Sequence, residues 1–218
     1  MNRSLDGPRV RAERRVQTFI DAAWELMPEK EGGDFTVQDV VERSGQSLRS
    51  FYQYFGGKNE LMIALLEESL RRMAVEMQTA ADAAPTPLGR VRAALLTLHD
   101  LSVPAPTCMR QSLSNFAYQL LITAPEQTAA VQRPVRELVV SLVRDAVAQG
   151  DLVCRDPERG AVLSLHLAQG AAHRAGLFAA EGQAPLGTDE LWGVLGAVLG
   201  VPAASPRLPL PRRRPRSA

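Results

Sequence analysis

Apolar residues recur along most of this chain at the three-to-four-residue spacing of helices that bury one face. The pattern predicts a first helix from about Val10 to Met27, which Pro28 and the following glycines end. A longer helix is predicted from about Asn59 to Ala83. Proline and glycine then separate five further helical segments, at about 88–103, 107–123, 126–149, 157–181 and 188–199. No segment alternates convincingly as a strand does, so the predicted fold class is all-α.

Two short helices joined by a tight turn are predicted between the first helix and the long one. Thr36 stands at an N-cap position with Asp39 three residues later, which is close to a capping box. Gly45 suits the left-handed conformation that ends many helices, and Ser47 can cap the next helix. In that helix Leu48, Phe51 and Phe55 are predicted to point to the core, whereas Arg49, Ser50, Tyr52 and Gln53 face outward. This layout is typical of a helix-turn-helix, whose second helix enters the DNA major groove.

Residues 10 to 66 resemble, roughly throughout, the N-terminal DNA-binding domain of the TetR family of bacterial regulators. The matching positions are Arg15, Phe19, Ile20, Ala22, Ala23, Thr36, Val37, Asp39, Val40, Ser44, Gly45, Ser47, Phe51, Tyr52, Tyr54, Phe55, Lys58, Glu60 and Leu61. This sequence departs from the family pattern at Gln46, where a small apolar residue is usual, and at Arg49, where glycine is frequent. The resemblance implies an N-terminal three-helix DNA-binding domain followed by a C-terminal helical domain for ligand binding and dimerisation.

The candidate DNA contacts combine the resemblance with the chemistry of the side chains. The resemblance implies contacts from Ser47, Arg49, Ser50, Tyr52, Tyr54 and Lys58. Arg49 can donate two hydrogen bonds to guanine, and Gln53 can reach base edges or phosphates. Thr36 and Lys58 lie at predicted helix N-termini, where backbone N–H groups and the helix dipole favour a phosphate. We therefore expect these eight residues to face double-stranded DNA.

The domain organisation follows from the helical pattern and the Pro-rich interruptions. We expect a DNA-binding domain at 9–60, a ligand-binding and dimerisation domain at 61–200, and a disordered Pro- and Arg-rich tail at 201–218. The helix that begins at about residue 59 links the two domains. The resemblance implies a two-fold dimer formed by the last two long helices, with Leu163, His166, Leu167, Ala171, Leu195 and Leu199 in the interface. The alternative is that these residues pack within one subunit.

A small-molecule site inside the second domain is also implied by the resemblance. Its candidate lining consists of residues on inward-facing stripes: Met73, Met77, Leu95, Leu98, His99, Met109, Leu113, Phe116, Ala117, Leu120 and Leu121. Because this lining is mostly apolar, a hydrophobic effector is expected rather than a highly charged one. The same residues would equally make an ordinary core, and the sequence leaves both possibilities open.

Charge and reactive residues exclude several other classes of protein. The 25 Lys and Arg residues against 24 Asp and Glu give a net charge of +1, which does not suit indiscriminate coating of nucleic acid. Cys108 and Cys154 lack metal-ligand spacing and are interpreted as buried, reduced thiols, with a disulfide between them as the alternative. No nucleophile elbow, phosphate loop or metal-ligand set is apparent, so neither an enzyme nor a cofactor is expected.

These patterns together predict a ligand-responsive regulator, most simply a repressor, that binds an inverted-repeat operator as a homodimer. The absence of an apolar signal core or a long apolar run predicts a cytoplasmic, nucleoid-associated protein. Activation in place of repression stays open, since its sign depends on where the operator lies. The alternative from another class is a helical ligand-binding or interaction protein that keeps the scaffold without binding DNA.

Overall fold

The computed structural model describes residues 6–30, 34–103, 108–182, 184 and 186–201, and every regular element in those ranges is a helix. The helices are α1 (Asp6–Glu29), α2 (Val37–Ser44), α3 (Leu48–Tyr52), α4 (Lys58–Asp82), α5 (Pro87–Ser102), α6 (Cys108–Thr123), α7 (Pro125–Val131), α8 (Arg133–Ala148), α9 (Pro157–Ala180) and α10 (Thr188–Leu199). The all-α prediction is confirmed. The predicted tail lies outside the described residues except for Val201, so its disorder stays a prediction.

One predicted helix is wrong, because the segment 126–149 forms two helices. The chain divides at Gln132, and Pro134 occupies the first turn of α8. Proline has no N–H to donate to the carbonyl of Ala130 one turn earlier, but it suits the first turn of a new helix. The first helix also differs from its prediction, since α1 begins at Asp6 and passes through Pro28 to end at Glu29.

The N-terminal helices pack around a cluster of aromatic rings. The ring of Phe19 on α1 meets Phe51 on α3 edge to face, with centroids 5.4 Å apart, and Phe55 lies 6.2 Å away in the same manner. Phe51 and Phe55 are themselves 5.3 Å apart. Such aromatic pairs contribute roughly 0.5–1.5 kcal/mol each beyond the apolar area that they bury. This cluster fixes α3 against α1.

Helix α4 runs from the N-terminal helices into the rest of the molecule, as predicted. Its buried side chains are Leu61, Met62, Leu65, Leu66, Leu70, Met77 and Ala81. They belong to one continuous apolar core that extends from Phe19 to Leu199. Arg72 of α4 also lies over the ring of Trp24 of α1, 5.8 Å from its centroid. Helix α4 is therefore in direct contact with α1. The domain boundary at residue 60 stays a prediction.

The C-terminal helices are tied together by loop contacts as well as by the core. The N–H of Leu88 at the start of α5 donates to the Asp151 carboxylate, and Val153 N–H donates to the carbonyl of Gly200. Arg92 of α5 also pairs with Asp189 of α10. In the part of the chain that the structure describes, no helix has the length and apolarity needed to cross a membrane.

Candidate nucleic-acid interface

Helix α2 begins at a complete capping box. The Asp39 N–H donates to Thr36 Oγ1 at 3.2 Å, while the Thr36 N–H donates to Asp39 Oδ2 at 2.7 Å. Two backbone donors that the helix itself leaves free are thereby satisfied. These hydrogen bonds lower the pKa of the Asp39 carboxyl below its ordinary value, the backbone donor first. The sequence prediction of this cap is confirmed.

The turn and the second helix also form as predicted. Gly45 has φ 63°, and its N–H donates to the carbonyl of Glu42. This left-handed conformation strains residues that carry a Cβ, which is the reason for glycine here. Ser47 Oγ then accepts the N–H of Ser50 at 3.1 Å and starts α3. The short α3 is therefore oriented by its cap, by the turn and by the buried ring of Phe51.

The outward face of α3 differs from its prediction at two positions. Ser50 was predicted to face outward, but it is only 8% exposed, and its hydroxyl lacks a hydrogen-bond partner among the described residues. Leu48 was predicted to face the core, yet it is 42% exposed. Because Phe51 and Phe55 already fill the space between α3 and α1, Leu48 lies at the edge of that contact. The exposed residues of α3 and its C-cap are Leu48, Arg49, Tyr52 and Gln53.

The remaining predicted contacts surround this face in different environments. Tyr54 is half buried and packs against the core, and Thr36 and Ser47 are exposed but engaged as caps. Lys58 begins α4, with Nζ 4.7 Å from the centroid of the Phe35 ring and 3.9 Å from Asp34 Oδ1. Its ammonium group is thus held against the segment that immediately precedes α2. Arg11, Arg14 and Arg15 are exposed on α1 and add positive charge to the N-terminal helices.

The capping box predicts a pH dependence of stability. Since the folded-state pKa of Asp39 is lowered, its stabilisation is fully present above the ordinary pKa of an aspartate and is lost as pH falls through the folded-state pKa. Asp39→Asn should therefore lower the free energy of unfolding at pH 7, and the difference from wild type should vanish in strong acid. Denaturant unfolding of both proteins at a series of pH values from about 7 to about 2, the range in which carboxylates titrate, measures this difference in the free energy of unfolding. A difference that does not change with pH would contradict the capping role of the carboxylate.

The predicted ligand-pocket residues mostly belong to the core. Met77, Leu95, Leu98, Leu113 and Leu120 are buried, and Met73, Phe116 and Ala117 pack against them. His99 is largely buried and lies 3.1 Å from the Asp100 carboxylate, while the Met109 side chain is outside the described residues.

Leu121 contradicts the expected inward orientation, being 51% exposed, because the adjacent Leu120 occupies the inner face of α6. A separate recess of about 190 Å³ is lined by Glu67, Arg71, Ala130, Val131, Arg133 and Pro134, and it includes none of the predicted pocket residues.

The predicted dimer residues divide into two groups. Leu163, His166 and Leu167 are exposed along one face of α9, where an apolar surface is open to a partner. Leu195 and Leu199 are fully buried in the core, which corrects their assignment to an interface. Ala171 is half buried against the same core, and Val194 is a large aliphatic residue that is exposed on α10.

The cysteine prediction agrees with the structure only in part. Cys154 is a free thiol that is partly exposed, so its burial was overestimated, and the side chain of Cys108 lies outside the described residues. His173 packs its ring against Tyr118 at 4.8 Å. Among the described residues, no cluster of His, Cys, Asp and Glu could hold a metal ion.

Comparison with known proteins agrees with this geometry. The profile described as "Bacterial regulatory proteins, tetR family" matches residues 19–65, which contain α2, α3 and the start of α4. The HTH-type transcriptional regulator BetI of Brucella canis is 32% identical over 79 residues, which are 36% of this chain and 40% of that protein. The chain therefore matches about two fifths of the length of these curated relatives.

Solved structures extend the likeness to almost the whole fold. A TetR-family regulator from Pectobacterium atrosepticum is 18% identical with a TM-score of 0.69, covering 91% of this chain and 99% of that one. RolR in complex with resorcinol is 14% identical with a TM-score of 0.68, covering 90% and 92%. FadR from Bacillus subtilis in complex with stearoyl-CoA is 13% identical with a TM-score of 0.58, covering 84% and 97%. The N-terminal match and the solved structures together show that residues 19–65 have the sequence pattern of the TetR-family DNA-binding domain and that the chain shares the helical fold of TetR-family regulators.

Proposed function

We propose that this protein is a transcriptional regulator that reads DNA with α3. The observation that carries the proposal is the exposed face formed by Leu48, Arg49, Tyr52 and Gln53 on a helix that is otherwise fixed by capping and by buried aromatic rings. Such a face offers a guanidinium for guanine, an amide for adenine and an aliphatic group for a thymine methyl. Lys58 and the capped helix N-termini supply sequence-independent contacts to phosphates.

The regulator acts as a homodimer joined through α9 and α10. Leu163 and Leu167 leave an apolar stripe on α9, and Val194 adds to the exposed apolar surface on α10. A two-fold axis through this surface would present two α3 helices to half-sites about 34 Å apart, one turn of DNA. The operator is then an inverted repeat. Dimerisation also raises the affinity for the operator. Once one subunit is bound, the second subunit meets its half-site at an effective concentration of about millimolar.

The protein acts as a repressor in the cytoplasm, at the nucleoid. A small hydrophobic effector that binds among the C-terminal helices controls whether the dimer binds DNA. Two proteins of the same fold have been solved as complexes with small molecules, RolR with resorcinol and FadR with stearoyl-CoA. The buried side chains that α4, α5 and α6 contribute to the core are apolar, which favours a hydrophobic molecule over a charged one. An effector can release DNA only by its higher affinity for the state that does not bind DNA, and α4 transmits the change.

Replacement of Arg49 tests the reading surface. Arg49→Ala should cost about 1–3 kcal/mol at one base position of each half-site and should relax the preference there, because a two-donor contact to guanine is lost. Competition binding against every single-base variant of the operator measures this. Arg136→Ala, which removes an exposed arginine of α8, is the control and should leave the profile unchanged. An unaltered profile for Arg49→Ala would refute its role in base recognition.

A further inference from the structure

The end of α1 and Lys30, the residue that follows it, hold α2 at both of its terminal turns through charged side chains. At the C-terminal turn of α2, the Arg43 guanidinium donates to both carboxylate oxygens of Glu29, at 3.0 and 2.5 Å. Glu25 lies 3.5 Å from the same guanidinium. At the N-terminal turn, Lys30 Nζ lies 3.5 Å from Asp39 Oδ1. Asp39 and Arg43 are four residues apart and so share one face of α2, which is turned to α1.

We infer that Arg43 is a positioning residue that orients α2, and with it α3, and that it does not bind DNA phosphate. This inference rests on the proposed DNA-binding function. Arg43 is a basic residue inside the helix-turn-helix, and composition alone would count it with the positive surface that meets DNA. The structure places it in a clamp with Glu25 and Glu29 instead. The contacts of Glu25, Glu29 and Lys30 with Asp39 and Arg43 form an α1 clamp.

The geometry at Arg43 leaves a phosphate at a disadvantage. Both terminal nitrogens of the guanidinium are already engaged by Glu29 in the paired arrangement that gives the strongest arginine–carboxylate contacts. A phosphate would have to displace this carboxylate while meeting the negative charge of Glu25 as well. The pKa of Glu29 is lowered, chiefly by the hydrogen bond from Arg43, which agrees with a pair that stays ionised.

The clamp acts on recognition because the turn at Gly45 joins α2 to α3, so the position of α2 adds to the packing of Phe51 on α1 in setting the orientation of α3. Helix α3 has five residues and follows α2 after the turn at Gly45. A tilt of α2 therefore displaces Arg49 and Tyr52. Contacts to base edges tolerate errors of only about 0.5 Å and 10–20° in the supporting scaffold. The apolar contacts of α2 lie on its valine face, and ion pairs at both of its terminal turns further restrict a tilt of the helix.

Removal of Glu29 gives a test with opposite expected signs. If the clamp positions α2, Glu29→Ala should weaken binding to the selected operator by roughly threefold, in keeping with a partly exposed ion pair. If Arg43 binds phosphate, the same change frees Arg43 and removes a negative charge near DNA, so binding should tighten. Glu42→Ala removes the same charge from the exposed side of α2 and is the matched control, expected to leave binding unchanged or slightly tighter. Tighter binding by Glu29→Ala would overturn the inference.

The salt dependence and the double variant separate positioning from direct contact. Arg43→Gln should weaken binding by a similar factor with an unchanged slope of log affinity against log salt, and Glu29→Ala with Arg43→Gln should be no weaker than either alone. A slope reduced by about 0.9, the value for one lost phosphate contact, would overturn the inference, as would losses that multiply.

Amide hydrogen exchange without DNA gives a readout that does not depend on the proposed function. Glu29→Ala should speed exchange in residues 37–52 relative to Glu42→Ala. Unchanged exchange in that segment refutes the clamp. Failure of the wild-type protein to select any DNA refutes the proposed function and, with it, the role of the clamp in recognition, whatever the exchange result.

Discussion

Phe51→Ala should destabilise the N-terminal helices by about 3–5 kcal/mol, the range for a buried phenylalanine cut to alanine. Phe51 is fully buried and contacts the rings of both Phe19 and Phe55. Alanine would leave a cavity that Phe19, held on a long helix, is poorly placed to fill. Since these rings fix α3 against α1, DNA binding should be lost together with the native tertiary structure of the N-terminal helices.

Equilibrium unfolding in denaturant, followed by near-ultraviolet circular dichroism, measures this loss. The matched control is Leu48→Ala on the same helix, which truncates a side chain that is 42% exposed. It should cost much less stability, and any loss of DNA affinity should be confined to one base position, as expected for an apolar contact with a thymine methyl. Similar destabilisation by the two changes would contradict the packing described for α3.

Leu163→Glu should convert the protein to a monomer and lower operator affinity by about 10²–10⁴-fold, the range in which linking two binding sites acts. Leu163 is 48% exposed on the open face of α9, so a carboxylate there is tolerated by the fold of one subunit. In a dimer, the same group would be buried against its symmetry mate, and two buried like charges strongly disfavour association.

Sedimentation velocity of wild type and variant measures the association, and fluorescence anisotropy measures the affinity for the operator. Leu121→Glu is the matched control, since this leucine is 51% exposed but lies on α6, outside the proposed interface. It should remain a dimer with wild-type affinity. A Leu163→Glu protein that still sediments as a dimer would refute the α9 surface as the dimer contact.

Local sequence signals predicted the recognition unit well because the signals act over a few residues. The cap at Thr36, the left-handed turn at Gly45 and the cap at Ser47 each depend on neighbours within four positions. The faces of α3 were harder to predict. A helix of five residues makes little more than one turn, so the spacing of apolar residues identifies its buried face poorly. Ser50 and Leu48 were therefore assigned to the wrong sides.

Tertiary packing decided what the sequence left open. Leu195 and Leu199 have the apolar spacing of an interface and of a core alike, and only their burial identifies them as core. The same ambiguity affects Leu121, whose exposure depends on which side of α6 the other helices cover. The pairing of Arg43 with Glu29 spans 14 residues of sequence, beyond the reach of any helical spacing rule. These contacts follow from the way that α1 meets α2.

The most direct test of the central claim is selection of DNA by the purified protein from a random duplex library at about 150 mM salt, near physiological ionic strength. The account predicts enrichment of an inverted repeat whose half-sites are centred about one helical turn apart. The Arg49→Ala protein should select the same repeat with one position in each half-site relaxed. A retained pool with no enriched sequence, or one with isolated half-sites and no symmetry, would contradict the proposal of a dimeric regulator that reads DNA with α3.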